Sequence, residues 1–411
     1  MADRFNAYPE YRKSGIEWIS HIPKTWQVKP TFAIFNTSIE KNTMGQESLV
    51  LSLSYGNIIE RNVEKNVGLL PESFNTYQIV NNGDLILRLT DLQNDKKSLR
   101  VGQAKQRGII TSAYLKLQPT AVIDHRFAYR LLHSYDTAKV FYSMGGGLRQ
   151  SMKFEDFRRL PIILPPLEEQ RKIADFLDHE TNNIDQLISK QIRLLELLKE
   201  KRFSLVAEAV NSQHNDKIRL SHITKQYSRK FKPTQGDEVI SLGLYNRGRG
   251  IFHKEAKLPQ DLGESEFFYV EEGDLILSGQ FAWEGSIALA DESHSGCIVS
   301  HRYPILRGIN NVLDTKYLWA YLSTKEGNFI LNENSIGSAG RNRPLNIRKL
   351  LKEPIPVPPL SKQLEVARFV DIEKDITLQI KKEITLLNEH KTALISEVIT
   401  GKIDVRDWQV N

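Results

Sequence analysis

Two stretches of the chain carry apolar residues at spacings of three, four and seven, which is typical of amphipathic helices. Each stretch follows a Pro-Pro-Leu sequence, beginning at Pro165 and at Pro358, and proline suits the first turn of a helix. The apolar positions include Leu187, Leu194, Leu198 and Leu205 in the first stretch and Ile376, Ile380, Ile384, Leu387 and Leu394 in the second. The pattern predicts two long helices, each of roughly 30 residues and about 45 Å in length.

The regions that precede these helices contain short apolar runs separated by turn residues, as expected for strands. Gly83-Asp84 precedes one such run and Gly273-Asp274 precedes another. Helical patterns lie among the runs at residues 125–141 and 315–331. We therefore expect a mixed α/β (α+β) globule before each long helix.

The chain repeats itself at an interval of about 190 residues. NGDLIL at residues 82–87 recurs as EGDLIL at 272–277, and LPPLEEQRKIADFLD at 164–178 recurs as VPPLSKQLEVARFVD at 357–371. Further matches occur in the same order, which indicates a direct tandem duplication. The predicted segments are a first globule at 1–160, a helix at 161–211, a second globule at 212–354 and a second helix at 355–411.

Two arrangements would bury the apolar stripes of the helices. In one, the helices pair antiparallel as a coiled coil, which gives the duplicated chain a pseudo-twofold axis with the globules at opposite ends. In the other, each helix packs on its own globule. We favour pairing because the stripes are longer than one globule can cover.

Composition excludes several classes of protein. The 411 residues are 40% hydrophobic and 26% charged, which rules out collagen-like and disordered chains, and a single cysteine, Cys297, rules out a disulfide scaffold. The sequence contains no run of about 18 apolar residues, which a membrane helix would need. We expect a soluble, cytoplasmic protein. The net charge of +6 is unevenly distributed: residues 1–160 carry +7 and residues 212–354 carry +2, whereas the two helical segments are slightly acidic. Basic globules favour a polyanionic partner, and the helices favour a protein partner.

Local clusters of basic residues mark candidate DNA contacts. A glycine-rich loop at residues 145–150 ends in Arg149-Gln150, and its repeat at 337–343 contains Arg341-Asn342-Arg343. Arginine pairs with guanine in the major groove, and glutamine or asparagine pairs with adenine. The alternative for any one of these residues is a solvated surface charge. The candidate DNA-binding residues are Lys96, Lys97, Arg100, Lys105, Arg107, Arg149, Gln150, Arg229, Lys230, Arg247, Arg249, Arg341, Asn342 and Arg343.

Motifs for catalysis are not found in the sequence. It has neither a phosphate-binding loop of the Walker type nor the Asp/Asn-Pro-Pro-aromatic run of amino-methyltransferases. His294, Cys297 and His301 approach the spacing of metal ligands, but a structural zinc site normally needs four ligands. We therefore predict no catalytic or metal-binding residue and interpret Cys297 as a small buried residue.

The whole chain resembles the specificity subunits of type I restriction–modification systems. The resemblance rests on SGIEWISHIPKTWQVKP at residues 14–30, on the two Pro-Pro-Leu segments, and on ALISEVITGKIDVRDW at 393–408. It implies that the globules are target recognition domains, each reading one half of a bipartite, asymmetric site in double-stranded DNA, and that the helices form an antiparallel coiled-coil spacer.

The resemblance also implies partners that perform the chemistry. Two methyltransferase subunits would dock on the spacer and bind S-adenosylmethionine, and restriction/translocase subunits would use ATP and Mg²⁺, so that this chain is itself non-catalytic. Two alternatives from other classes are a self-contained DNA methyltransferase or nuclease, and a purely structural coiled-coil adaptor.

Overall fold

A computed structural model describes residues 6–61, 73–92, 99–144, 152–211, 216–233, 236–337 and 343–409. The chain divides into two compact units. The first unit consists of Met1–Ile188 together with Ile384–Asn411, and the second unit is Ser189–Glu383. Both long helices therefore contribute to both units, whereas the sequence predicted helical segments separate from the globules.

The first unit begins with short strands and a single longer helix before the first long helix. Its strands are β1 (Tyr11–Ile16), β2 (Ile19–Pro23), β3 (Gln27–Pro30), β4 (Phe35–Asn36), β5 (Leu51–Ser54), β6 (Asn57–Glu60), β7 (Gln78–Val80), β8 (Leu85–Leu87), β9 (Val101–Gln103), β10 (Gly108–Ile110), β11 (Leu115–Pro119) and β12 (Pro161–Leu164). Its helices are α1 (His125–Thr137), α2 (Phe154–Phe157) and the start of α3 (Leu167–Asn211).

The second unit follows the same order. Its strands are β13 (Asp216–Arg219), β14 (Thr224–Tyr227), β15 (Leu242–Leu244), β16 (Ile251–His253), β17 (Phe267–Tyr269), β18 (Leu275–Leu277), β19 (Ile287–Leu289), β20 (Ile298–Ser300), β21 (Ile305–Gly308) and β22 (Pro354–Val357). Its helices are α4 (Leu220–Ile223), α5 (Thr315–Leu322), α6 (Lys325–Glu333), α7 (Ile347–Leu350) and the start of α8 (Leu360–Ile399).

The two units share one antiparallel topology. Each has a four-stranded sheet, in the order β4-β11-β8-β9 in the first and β14-β21-β18-β19 in the second. Each also has three matching strand pairs: β5-β6, β7-β10 and β3-β12 in the first, and β15-β16, β17-β20 and β13-β22 in the second. The tandem duplication and the mixed α/β class are confirmed. The hairpin β1-β2 belongs to the first unit and comes from the SGIEWISHIPKTW sequence.

The residues after α8 complete the core of the first unit. The helix ends at Ile399, and Gly401 follows with a φ of 75° that favours glycine. Ile403 and Val405 are then buried in the same cluster as Trp26. The prediction that residues 355–411 form a helix is therefore wrong for the last ten described residues, which close the core beside the N-terminal hairpin.

The long helices run antiparallel within each unit, as the sequence predicted. In the first unit, Lys391 on α8 pairs with Asp185 on α3 at 2.7 Å. In the second unit, Arg202 on α3 pairs with Glu373 at 2.7 Å, and Gln191 donates to Glu383 at 2.9 Å. The residue numbers rise on α3 as they fall on α8, which is the order of an antiparallel pair.

The apolar stripe is buried unevenly. Leu205, Ile380 and Leu394 are buried, and Leu205 and Leu394 belong to the cores that contain the sheets. Leu187 and Leu194 are 49% and 40% exposed, whereas the other stripe positions are half-buried. Those half-buried positions are Leu198, Ile376, Ile384 and Leu387. Each arrangement that the sequence allowed is therefore present: the helices pair, and their ends also pack on the globules.

A buried glutamine joins each long helix to its sheet domain. The side chain of Gln170 accepts from the backbone N–H of Asp124 at 2.8 Å and donates to the carbonyls of Val122 and Pro165. Gln170 is almost fully buried, and so is Gln363, its counterpart in the second unit. Because the acceptor and both donors of the amide are used, the start of the helix is fixed against the loop that begins α1.

Gln363 repeats this arrangement in the second unit. Its side chain accepts from the N–H of Asp314 at 2.8 Å and donates to the carbonyls of Val312 and Pro358. Asp314 in turn caps α5, as Asp124 caps α1. The glutamine of the duplicated Pro-Pro-Leu segment is therefore a framework residue in both units.

Two of the predicted DNA contacts also belong to the framework. Arg100 is fully buried, and its guanidinium donates to the carbonyl oxygens of Thr90 at 2.9 Å and Asp91 at 3.2 Å. Arg229 donates to both carboxylate oxygens of Asp274, at 2.8 and 3.2 Å. Asp274 is fully buried, and Arg307 binds it from a second direction at 2.6 Å. The prediction that Arg100 binds DNA is wrong, and the contacts of Arg229 give it a structural role, because a buried carboxylate needs charged partners.

We expect loss of the buried amide to destabilise the chain strongly. Gln363→Ala leaves one N–H and two carbonyls without this partner in a buried site, so the free energy of unfolding should fall by about 2–4 kcal/mol. Lys362→Ala is the matched control, because Lys362 is exposed and pairs only with Glu365 one turn away. Urea unfolding of both variants measures the effect, and equal stabilities would contradict the role of Gln363.

Replacement of Arg229 should lower the free energy of unfolding of the chain, rather than change DNA binding directly. Arg229→Met leaves the buried Asp274 with Arg307 and the backbone N–H of Glu271, and we expect a loss of about 2–4 kcal/mol in the free energy of unfolding. Lys230→Met is the adjacent control, since Lys230 is exposed and pairs with exposed Glu266. A thermal melt of each variant tests this, and an Arg229→Met variant as stable as the parent would remove Arg229 from the framework.

Candidate nucleic-acid interface

The loop after β18 and the loop of the β15-β16 hairpin are joined in the second unit. The backbone N–H of Arg247 donates to the carbonyl of Glu284 at 2.8 Å, and that of Gly248 donates to Gly285 at 2.9 Å. The side chain of Asn246 also donates to the carboxylate of Glu284. These bonds hold residues 245–250 against residues 278–285, so the two loops form one surface.

Two further segments meet the same loop. The N–H of Gly279 donates to the carbonyl of Arg302 at 2.7 Å, and the N–H of Leu345 donates to the carbonyl of Gly279 at 2.8 Å. A Cβ atom at residue 279 would overlap the carbonyl oxygen of Arg302, so this approach requires glycine. The loop thereby brings together the segments that carry Arg302 and Arg343, which are far apart in sequence.

Four arginines and two aromatic residues characterise this surface. We call it the arginine–aromatic surface and define it as Tyr245, Arg247, Arg249, Trp283, Arg302 and Arg343.

Two of the arginines lie against aromatic rings. The guanidinium carbon of Arg249 is 5.1 Å from the centre of the Tyr245 ring, and that of Arg343 is 5.0 Å from the centre of the Trp283 ring. Tyr245 is 43% exposed and itself contacts the ring of Phe252 at 4.6 Å. The positive charge over an aromatic face is stabilised by the ring quadrupole, and the orientation of each guanidinium is restricted.

The other two arginines of the surface are exposed, and no ring in the described part of the chain lies beneath them. Arg247 has a positive φ of 60° at the tip of the hairpin, and Arg302 precedes β21. Glu284 is the acidic residue of the joined loops, and its carboxylate accepts from Asn246. A surface of this charge, with aromatic rings beside the cations, suits a polyanion that also presents bases.

The structure separates the predicted DNA contacts into groups. Arg247, Arg249 and Arg343 lie together on the arginine–aromatic surface. Lys105, Arg107 and Lys230 are exposed elsewhere: Arg107 donates to Asn81 just before β8, and Lys230 lies beside β17. Arg100 and Arg229 belong to the framework described above. Lys96, Lys97, Arg149, Gln150, Arg341 and Asn342 lie outside the described residues, and their roles stay predictions.

The sequence reasoning missed Tyr245, Trp283 and Arg302. Tyr245 directly precedes Asn-Arg-Gly-Arg-Gly, and an aromatic residue beside a glycine–arginine run is a recognisable signal for nucleic-acid binding. The pairing of Trp283 with Arg343 has no such signal, because the two residues are brought together by the Gly279 contacts.

The first unit repeats one backbone contact of this surface. The N–H of Met152 donates to the carbonyl of Leu89 at 2.8 Å, at the position where Leu345 donates to Gly279 in the second unit. The β5-β6 hairpin carries Tyr55 at its tip, 75% exposed. The side chains that surround it differ from those of the second unit, and residues 93–98 and 145–151 of this region lie outside the described part.

Across the described residues, no cluster of three or more His, Cys, Asp and Glu side chains could hold a metal ion. Cys297 is buried among apolar residues, as predicted, and His294 pairs with Asp291 at 2.7 Å and stacks on His253. Among the same residues, no helix has the length and apolar character needed to cross a membrane.

Comparison with known proteins identifies the family twice along the chain. Residues 23–197 and 221–386 each match the type I restriction modification DNA specificity domain. The chain is 22% identical over 321 residues to the StySPI specificity subunit of Salmonella potsdam, covering 71% of this chain and 68% of that protein. It is 24% identical over 355 residues to the MjaVIII specificity subunit of Methanocaldococcus jannaschii, covering 80% and 81% of the two chains.

A solved structure shares the fold. A chain from a study of complex assembly and conformational transition of the type I R-M system has a TM-score of 0.59 and 15% identity. The match covers 93% of this chain and 99% of that one. Because the family matches account for most of the sequence in two successive copies, the chain belongs to the type I restriction–modification specificity subunits, the non-catalytic components that determine DNA specificity.

Proposed function

We propose that the arginine–aromatic surface reads one half of a bipartite DNA site and that the equivalent surface of the first unit reads the other half. The observation that carries this proposal is the assembly of four arginines and two aromatic rings from four separate segments onto one surface. Exposed arginines bind phosphates and position the duplex, while arginines of fixed orientation read base edges. The loops supply these groups, and the duplicated sheets hold the loops.

The two halves of the site should differ in sequence. The hairpin tips that reach the surface differ in length, since β5 and β6 are joined by two residues and β15 and β16 by six. Arg247 and Arg249 lie on the longer tip and have no counterpart at Tyr55-Gly56. Hairpin tips of different length and sequence on the same sheet topology favour an asymmetric, non-palindromic site.

The long helices set the spacing of the two halves and provide the docking surface for partner subunits in this proposal. Readers that bind one face of DNA lie about 34–36 Å apart or at a multiple of that distance. Exposed apolar residues on α3, among them Leu187 and Leu194, support a protein partner on the helices. We propose that two methyltransferase subunits dock there and that restriction/translocase subunits join them.

The chemistry belongs to those partners. The methyltransferase subunits would flip adenines out of the duplex and use S-adenosylmethionine, and the restriction subunits would use ATP and Mg²⁺. This chain would hold the DNA and would act in the cytoplasm, where bacterial and archaeal chromosomes lie.

Binding of DNA by the chain should depend steeply on salt. With about 6–10 phosphate contacts, the affinity should fall by roughly 10³- to 10⁵-fold between 50 and 200 mM salt. Arg247→Ala should make the slope shallower by about one counterion, because Arg247 is an exposed cation without a ring partner. Lys362→Ala on α8 is the control and should leave the slope unchanged. A flat salt dependence of the parent chain would favour a structural adaptor instead.

Changes on one unit should affect one half of the site. Sequencing of methylated DNA from a host that expresses the chain with its methyltransferase gives both half-sites and the gap between them. Arg343→Ala should weaken binding to duplexes whose second-unit half-site is intact, and Tyr55→Ala should do so for the other half, each by roughly 10-fold. Binding to duplexes with either half scrambled measures the effects. Equal losses on both halves would contradict the two-reader proposal.

A further inference from the structure

Two arginines of the second unit, Arg249 and Arg343, each lie over an aromatic ring, and this placement bears on base recognition. Resting on the proposed function above, we propose that Arg249 and Arg343 each read one guanine in the half-site bound by the second unit. Tyr245 and Trp283 act as the positioning residues that orient them.

Each arginine is held by a hydrogen bond from its Nε and by an aromatic ring beneath its guanidinium carbon. The Nε of Arg249 donates to the carbonyl of Asn246 at 3.0 Å, and the Nε of Arg343 donates to the carbonyl of Ser335 at 3.2 Å. The guanidinium carbons of Arg249 and Arg343 lie over the rings of Tyr245 and Trp283, at 5.1 and 5.0 Å from the ring centres. Within the described part of the chain, no hydrogen bond uses either Nη group of these two arginines.

This arrangement leaves a pair of Nη donors at the outer end of each guanidinium. Guanine presents two acceptors, O6 and N7, at its major-groove edge, and a planar fork of two N–H donors matches them. Adenine presents one acceptor and one donor there, so a fork that carries only donors cannot pair with both groups. An arginine fixed in this way therefore favours guanine over the other bases.

A phosphate contact does not need this orientation. Arg247 and Arg302 are exposed, neither lies over an aromatic ring among the residues that the structure describes, and they supply the charge that binds the backbone. Prior orientation lowers the conformational entropy lost on binding, and the fixed direction of the donors restricts this gain to bases whose acceptors match them. The ring of Tyr245 in turn contacts the ring of Phe252, with 4.6 Å between the ring centres, and this contact helps to fix the ring beneath Arg249.

The test uses the full chain and a library of duplexes in which the second-unit half-site is randomised. The parent chain should select guanine at two or more positions. Arg249→Ala should lose the preference at one of them and Arg343→Ala at another, each by roughly 5- to 150-fold relative to the other bases. Arg249→Lys and Arg343→Lys keep the charge and the fold but lack the planar fork, and they should lose the same preferences while retaining most of the affinity for random DNA.

The aromatic variants test the positioning role. Tyr245→Leu should reduce the guanine preference at the same DNA position as Arg249→Ala. Trp283→Leu should reduce it at the same DNA position as Arg343→Ala. A double variant that combines an aromatic change with the matching arginine change should lose little more base preference than the arginine variant alone, because both changes remove the same contact. Arg368→Ala, an exposed arginine on α8, is the matched control and should leave every base preference unchanged.

Three outcomes would overturn the inference while leaving DNA recognition by the chain intact. The first is uniform weakening on all sequences, which identifies the two arginines as phosphate contacts. The second is a loss of preference for a base other than guanine, and the third is full guanine preference in the lysine variants. A parent chain that selects no sequence at all would instead contradict the proposed function itself.

Discussion

The buried amide at the start of each long helix is the contact on which the arrangement of the unit depends. Gln170 and Gln363 each bind the loop that begins a sheet-domain helix and the proline turn that begins the long helix. Because every polar atom of the side chain is used, a shift of the helix along or around its axis would leave buried groups without partners. Each long helix is thereby attached rigidly to the sheet of its own unit.

The neighbouring position shows how the duplicated copies diverge around this contact. Glu169 accepts from the hydroxyl of Tyr8 at 2.6 Å and from the indole N–H of Trp26 at 2.8 Å, both from the N-terminal segment of the first unit. Its counterpart Lys362 is exposed and pairs with Glu365. The first copy needs an acceptor there because the hairpin β1-β2 and its flanking residues cover it, whereas the second copy has no such hairpin among its described elements. The difference between EEQ and SKQ thus changes the surroundings and leaves the glutamine in place.

Much of the fold followed from the sequence, since strand and helix periodicity and a 190-residue repeat are local patterns that one chain displays directly. The site followed only in part. Arg247, Arg249 and Arg343 were predicted because basic residues cluster beside glycines, and their role in DNA binding stays a prediction. Arg100 and Arg229 lie in similar clusters but bind buried groups. The charge pattern of a sequence does not reveal whether a basic side chain will bind a buried carboxylate or carbonyl. The contact between Trp283 and Arg343 likewise depends on the tertiary contacts of Gly279. Base readout depends on such contacts and is therefore less predictable than the scaffold.

The closing of the first unit by residues 400–409 has a consequence for the order of folding. Its core combines Trp26 with Val405, so it requires segments from nearly opposite ends of the sequence. The second unit is a continuous stretch, Ser189–Glu383, whose contacts are all available earlier in synthesis. On a ribosome, where domains fold as their segments emerge, the second unit can therefore complete its core while the first still exposes part of its own. The N-terminal half of such a chain is the later one to mature, and it stays open to chaperones and proteases until the segment after α8 has been made.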